Sequence, residues 1–134
     1  MSNIIVGYDG SETGKRALAR AAEVVDGDDA VVVVSAAESH ARTGITEASH
    51  LDPSEIERRR ADLEEAQRFL DERGIQATTI EAQGDPGSVI IESAKDADLI
   101  IVGSRGLNPL QRMLLGSVSS KVVHRARCDV LVVR

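Results

Sequence analysis

The chain has 134 residues, of which 42% are hydrophobic and 28% are charged, and its formal net charge is -6. This length suits a single domain over residues 1–134, and no apolar run is long enough to cross a bilayer, so we expect a soluble protein without a membrane partner. The acidic balance argues against nucleic acid as a partner, because that binding needs clustered Lys and Arg.

The first part of the chain predicts a strand followed by a helix. The apolar run from Ile4 to Val6 predicts the strand, and turn-forming residues end it. Apolar residues at spacings of three and four then predict a helix over residues 12–25, with Ser11 or Thr13 as its N-cap. Nothing before the first strand resembles a signal peptide, so we expect a cytoplasmic location.

The central part predicts a second strand, a long loop and a second helix. Residues 30–34 are apolar throughout and predict the strand, whereas residues 35–51 are polar and aperiodic. Asp52, the proline after it and Glu55 are typical of a helix start, and this helix should continue to Arg73.

The last part repeats the same alternation. Residues 75–81 predict a third strand whose polarity is typical of a sheet edge, and the cap-then-proline pair Asp85-Pro86 predicts a helix to about Ala94. Strands over residues 99–102 and 129–134 flank a helix that begins near Gly116. Alternating strands and helices predict an α/β fold with a parallel sheet covered by helices on both faces. Ligands of such sheets bind beyond the carboxyl ends of the strands, where residues 7–11 and 103–106 have suitable composition.

Several kinds of chemistry find no support in the residues. The single cysteine, Cys128, cannot form an intrachain disulfide, and the three histidines lack the spacing of metal ligands. The acidic turn over residues 26–29 lacks the EF-hand pattern, and no nucleophile-elbow motif is present. We therefore predict neither a metal site nor a catalytic residue.

The positions of the glycines can be compared with three known nucleotide-binding motifs. The Walker A pattern fails because Asp9 and Arg16 stand where it needs glycine and a hydroxyl residue, and the dinucleotide pattern G-x-G-x-x-G is absent. The third pattern is Gly103-x2-Gly106-x9-Gly116-Ser117. Singly, each glycine is explained by a strand end, a loop or a helix start, but the joint spacing favours nucleotide binding.

This pattern, with the opening IIVGYDGSE and the closing VLVVR, resembles the universal stress protein (UspA) family and its ATP-binding subgroup. The resemblance implies a Rossmann-like fold similar to that of adenine nucleotide alpha hydrolases. Its open five-stranded parallel sheet would have the strand order 3-2-1-4-5. That order would bring the two candidate loops side by side.

The resemblance also implies roles for individual residues. Asp9 would accept hydrogen bonds from the ribose hydroxyls, which suits a carboxylate. Gly7 and Ala36 would lie near adenine, and Tyr8 would narrow the pocket or stack on the base. The residues implied at the ribose and phosphates are Gly103, Gly106, Gly116, Ser117, Val118 and Ser119, the last three through backbone N–H groups and the two serines also through their hydroxyls, with Arg105 or Arg112 near the phosphate tail.

The function that follows is a dimeric, adenine-nucleotide-binding regulatory module of the stress response. The apolar run from Val130 to Val133 would expose unpaired backbone groups at a sheet edge, and the family commonly forms homodimers through this strand. The implied cofactor is ATP, AMP or another adenylate, with or without Mg²⁺, and an unknown protein would receive the signal. A slow ATP hydrolase or phosphotransferase and a nucleotide-free partner-binding dimer are the alternatives.

Overall fold

A computed structural model describes residues 2–37, 53–106 and 115–134 of the chain. In these residues the strands are β1 (Asn3–Gly7), β2 (Ala30–Ala37), β3 (Ala77–Gln83), β4 (Leu99–Gly103) and β5 (Asp129–Val133). The helices are α1 (Glu12–Val24), α2 (Pro53–Asp71), α3 (Pro86–Ser93) and α4 (Ser117–Arg125). Asp52, Arg112 and the predicted loop beyond Ala37 lie outside the described residues.

The strands form one sheet with the order β3-β2-β1-β4-β5, and all four pairings are parallel. The fold class and the strand order implied by the resemblance are therefore confirmed. β1 lies at the centre and pairs with both β2 and β4. β3 is an edge strand, as its polar composition predicted, and β5 forms the opposite edge.

Apolar side chains cover both faces of the sheet. Alternate residues of a strand point to opposite faces, so Ile4 and Val6 pack with α1 and α2, whereas Ile5 packs with α3 and α4. Ile100 and Ile101 of β4 are both fully buried, one in each cluster. Burial on both faces explains why the central strands are apolar throughout instead of alternating with polar residues.

Local sequence signals set the helix starts. Ser11 is the N-cap of α1, because its hydroxyl accepts a hydrogen bond from the Gly14 N–H at 3.1 Å, and Asp85 caps α3 in the same way through Ser88 at 3.0 Å. Thr13, the alternative cap of α1, lies inside the helix. None of the helices in the described ranges is long and apolar enough to span a membrane.

Several predicted boundaries were wrong by a few residues. β2 continues to Ala37 because its last residues pair with β3, as Ala36 does with Ala82. β3 begins two residues later than predicted, since the Ile75 N–H still donates to the Leu70 carbonyl at the end of α2. α2 itself stops at Asp71 rather than Arg73.

Candidate functional site

Two loops meet at the carboxyl edge of the sheet. Ile4 of β1 pairs with Leu99 of β4, and the ladder continues to Val6 and Ile101, so the segments that follow these strands leave the sheet side by side. One is the β1–α1 loop, and the other leads from β4 to α4. This edge, beyond the central strands, is where ligands bind in open parallel sheets.

The β1–α1 loop is fixed by local hydrogen bonds. The Tyr8 N–H donates to the Val34 carbonyl at 2.9 Å, which continues the pairing of β1 with β2 by one residue. The Asp9 Oδ1 atom then accepts from the Ser11 N–H at 2.9 Å. One such bond leaves the carboxylate, which is exposed, with further acceptor sites.

The two described ends of the β4–α4 connection are bound to each other. The Ser104 carbonyl accepts the Gly116 N–H at 2.6 Å and the Ser119 hydroxyl at 3.1 Å. Ser104 is itself held by β5, because its N–H donates to the Val133 carbonyl at 2.7 Å. These bonds hold the first turn of α4 against the end of β4.

The N-terminus of α4 presents backbone donors. Gly116 is the N-cap and makes no side-chain cap hydrogen bond, and the first intrahelical bond runs from the Ser120 N–H to the Gly116 carbonyl at 2.9 Å. The N–H groups of Ser117, Val118 and Ser119 therefore have no acceptor within the helix. Such groups, with the helix dipole, favour an anion.

A single cleft brings the predicted site residues together. All ten of them line it, namely Gly7, Asp9, Ala36, Gly103, Arg105, Gly106, Gly116, Ser117, Val118 and Ser119. The cleft lies between the carboxyl edge of the sheet and the first turns of α3 and α4. Arg105 and the α4 donors follow β4 in the chain, whereas Asp9 follows the neighbouring strand β1.

The backbone of Ala36 presents polar groups at the cleft. The Val34 carbonyl points toward β1, where it accepts the Tyr8 N–H, and the register of β1 with β2 ends at Gly7 and Val34. Backbone groups two residues apart in a strand point to the same side, so the N–H and C=O of Ala36 point past the end of β1. They can recognise the edge of a flat heterocycle without any particular side chain.

An apolar wall was missed by the sequence analysis. Val34, Val102 and two residues of α3, Pro86 and Ile90, also line the cleft. Ile90 is only 4% exposed and belongs to the core cluster on the α3 and α4 face. The periodicity of α3 indicates a buried face, but only the position of this helix over β1 shows that the face also borders the cleft.

The motif glycines have different structural reasons. A Cβ atom at Gly103 would lie 2.6 Å from the Thr13 Oγ1 atom, 2.7 Å from the Thr13 carbonyl carbon and 2.8 Å from the Gly14 nitrogen. Among the described residues, the atom nearest to a Cβ atom at Gly106 or Gly116 would lie at 3.4 Å, which is an ordinary contact. Close packing of α1 thus explains Gly103, whereas it does not explain Gly106 and Gly116.

Two side chains that line the cleft are themselves buried. The Ser119 hydroxyl is buried and donates to the Ser104 and Gly116 carbonyls, so its proton serves the fold instead of a ligand, and of the two serines only Ser117 has an exposed hydroxyl. Tyr8 lines the cleft, yet it is only 4% exposed and packs in the cluster with α1 and α2. Its burial, with the nearby carboxylates of Glu65, Asp62 and Asp9, raises the pKa of Tyr8 to about 12.

The acidic groups near the cleft give little support for metal chemistry. Among the described lining residues Asp9 is the sole carboxylate, and no group of three or more His, Cys, Asp or Glu residues in the described ranges is arranged to hold a metal ion. Burial raises the pKa of the Asp62 carboxyl in α2, which contacts the β1–α1 loop at Gly10.

Comparisons with known proteins agree with this architecture. The model of the universal stress protein family matches residues 1–134. Universal stress protein YxiE of Bacillus subtilis is 49% identical over 74 residues, which cover 54% of this chain and 50% of that protein. A putative universal stress protein of Staphylococcus haemolyticus is 34% identical over 143 residues, with 98% of this chain and 84% of that protein covered. The chain thus spans about half the length of the first relative and most of the second.

A solved structure is similar over nearly the whole chain. It is the crystal structure of a universal stress protein in complex with cAMP, with a TM-score of 0.77, 27% sequence identity, and coverage of 99% of this chain and 97% of that one. The similarity extends over both loops that form the cleft.

Proposed function

This chain belongs to the universal stress protein family, and on that premise we propose that it binds an adenine nucleotide in the cleft and acts as a dimeric regulatory module of the stress response. One observation carries the proposal. Backbone donors suited to phosphate, a carboxylate suited to ribose and an apolar wall suited to a base line the same cleft. The cAMP held by a 27% identical relative supports an adenylate as the class of ligand.

The phosphates bind at the N-terminus of α4. The N–H groups of Ser117, Val118 and Ser119 donate to phosphate oxygens, and the positive end of the helix dipole adds to the attraction. The exposed Arg105 supplies a formal positive charge on the same side of the cleft. ATP is the first ligand to test, with AMP as its main competitor.

The nucleoside binds over the ends of β1 and β2. The Asp9 carboxylate accepts hydrogen bonds from the ribose hydroxyls through the acceptor sites that Ser11 leaves available. The base lies against Val34, Ile90 and Val102, and its edge pairs with the backbone groups of Ala36. A Cβ atom at Gly7 would lie 2.7 Å from the Ile90 Cδ1 atom and 2.9 Å from the Val102 Cγ1 atom, so a larger residue there would displace the ends of two side chains of the apolar wall.

The decisive experiment asks what the purified protein carries and binds. The protein is purified without added nucleotide and denatured, released small molecules are identified by mass spectrometry, and ATP, AMP and GTP are titrated by calorimetry. Gly116→Val places methyl groups before the α4 donors and should weaken adenylate binding at least about tenfold. Gly27→Val is the matched control, because no atom lies within 4 Å of a Cβ atom at that remote turn.

The outcomes separate the candidate functions. If the protein releases no nucleotide and calorimetry detects no binding of ATP or AMP, the proposal is refuted. The nucleotide-free partner-binding dimer then remains as the candidate function. Repeated turnover of ATP in the presence of Mg²⁺, stopped by Asp9→Ala, supports the hydrolase alternative instead. Adenylate binding without turnover, lost in Gly116→Val and kept in Gly27→Val, supports the regulatory module.

The homodimer forms through β5 in this proposal. β5 pairs only with β4 within the described sheet, and Val130, Leu131 and Val132 are partly exposed. The Val133 carbonyl points toward β4, so the backbone groups of Val130 and Val132 point away from it and can pair with a second copy.

Proline substitution tests this pairing without removing the strand. Val132→Pro deletes an outward N–H and should convert the dimer to a folded monomer, as measured by light scattering on a sizing column. Leu131→Pro is the contrasting variant, because it deletes an inward N–H and should destabilise the monomer itself. A Val132→Pro protein that still runs as a dimer would refute pairing through β5.

A further inference from the structure

Thr13 of α1 is hydrogen-bonded to Arg105, in the loop that follows β4 and lines the cleft. The Thr13 Oγ1 atom accepts the Arg105 N–H at 3.2 Å and donates to the Arg105 carbonyl at 2.5 Å. A single hydroxyl thus binds both backbone polar groups of Arg105, which is one of the two residues between the first two motif glycines. The Ser11 hydroxyl also reaches the Arg105 carbonyl, but at 3.4 Å, near the limit of a hydrogen bond.

The contact is held from behind by close packing. Thr13 and Gly14 lie so near Gly103 that a Cβ atom there would be 2.7 Å from one backbone atom and 2.8 Å from another. The start of α1 is therefore pressed against the end of β4, and Thr13 cannot leave the loop without opening this packing. The hydroxyl provides the polar part of a contact that is otherwise steric.

Thr13 is outside the cleft that it supports. It lines a second pocket, together with Arg16 and Arg134, whereas Arg105 and Gly106 line both pockets. Arg105 and Gly106 therefore lie between the two pockets, and the Thr13 hydroxyl binds this part of the loop from the side of the second pocket. Any effect of Thr13 on a ligand in the cleft must pass through the Arg105 backbone.

We infer that Thr13 is a positioning residue for phosphate binding. By fixing the Arg105 peptide it holds the part of the loop that carries Arg105 and Gly106 at the cleft, which reduces the ordering cost of binding. This inference rests on the proposed adenylate function and adds a residue that the glycine motif does not contain. The effect belongs to the phosphates, because the proposed ribose and base contacts of Asp9, Ala36 and the apolar wall do not include the Arg105 peptide that Thr13 binds.

The test compares a phosphorylated ligand with its nucleoside. Thr13→Val removes the hydroxyl with little change of shape, and Thr13→Ser keeps it. Calorimetric titration of the full-length protein with AMP and with adenosine should show that Thr13→Val weakens AMP binding about tenfold and leaves adenosine binding unchanged. Thr13→Ser should bind both ligands as the wild type does.

The ratio of the two dissociation constants decides the result. Both constants are measured on the same folded population, so a general loss of stability in Thr13→Val would not change their ratio. An unchanged ratio in Thr13→Val, or an equal loss in Thr13→Ser, overturns the inference while wild-type binding preserves the proposed function. A wild-type protein that binds neither ligand overturns both.

Discussion

Replacing Gly103 with alanine tests whether the first motif glycine serves the fold or the ligand. The new methyl group would lie 2.6 to 2.8 Å from three atoms of α1, and two of these belong to the helix backbone. Backbone atoms cannot rotate away, so the start of α1 and the end of β4 must separate by several tenths of an ångström. The whole β1–α1 loop would move with them.

The expected loss of stability follows from that overlap. Overpacking by a single methyl group in a tight interior costs about 1 to 3 kcal/mol. Gly116→Ala is the matched comparison, since its methyl group would meet its nearest neighbour at 3.4 Å and should cost less than about 1 kcal/mol. The three motif glycines would then divide into one that is needed for folding and two that are available to a ligand.

Urea unfolding of the protein without ligand measures both values. A lower midpoint at unchanged slope reports a loss of stability, and the comparison of the two alanine variants removes the effect of the substitution type. If Gly103→Ala is as stable as the wild type, or if Gly116→Ala loses as much, the steric explanation for Gly103 is wrong.

Three further substitutions test other contacts. Because the pKa of Tyr8, the single tyrosine, is raised to about 12 in the folded protein, the free energy of unfolding should fall as the pH rises from about 10 to about 12. Tyrosinate absorbance should report the titration. Tyr8→Phe should lose less stability over the same pH range. Lys121→Met removes the 2.5 Å ion pair with Asp85 between α4 and α3. Because the pair is partly exposed, the free energy of unfolding should fall by at most about 1 kcal/mol. The difference between variant and wild type in urea unfolding should become smaller in high salt. Ser119→Ala should cost only about 1 kcal/mol, because the Ser104 carbonyl keeps a backbone donor, and a loss several times larger would contradict this bonding.

The order of the elements and the starts of the helices follow from local physics. Ser11 and Asp85 cap α1 and α3 because their short side chains reach the orphan N–H groups of the first turn, which is a property of a few consecutive residues. The ends of β2 and β3 were predicted less well, since Ala36 and Ala37 become strand residues only through pairing with β3. Their own composition does not distinguish a strand from a loop.

The sequence by itself indicated which residues could form the site: the glycines and Ser117 through their linear spacing, and residues such as Asp9 and Ala36 through the family resemblance that this spacing carries. All ten predicted residues line one cleft. Only the tertiary structure decided how these residues are packed and hydrogen-bonded. It showed that α1 packs against Gly103, that Ile90 of α3 borders the cleft, and that the Ser119 proton is taken by backbone carbonyls. The physical reason is distance along the chain: Thr13 and Arg105 are 92 residues apart, and no local pattern records that their atoms touch.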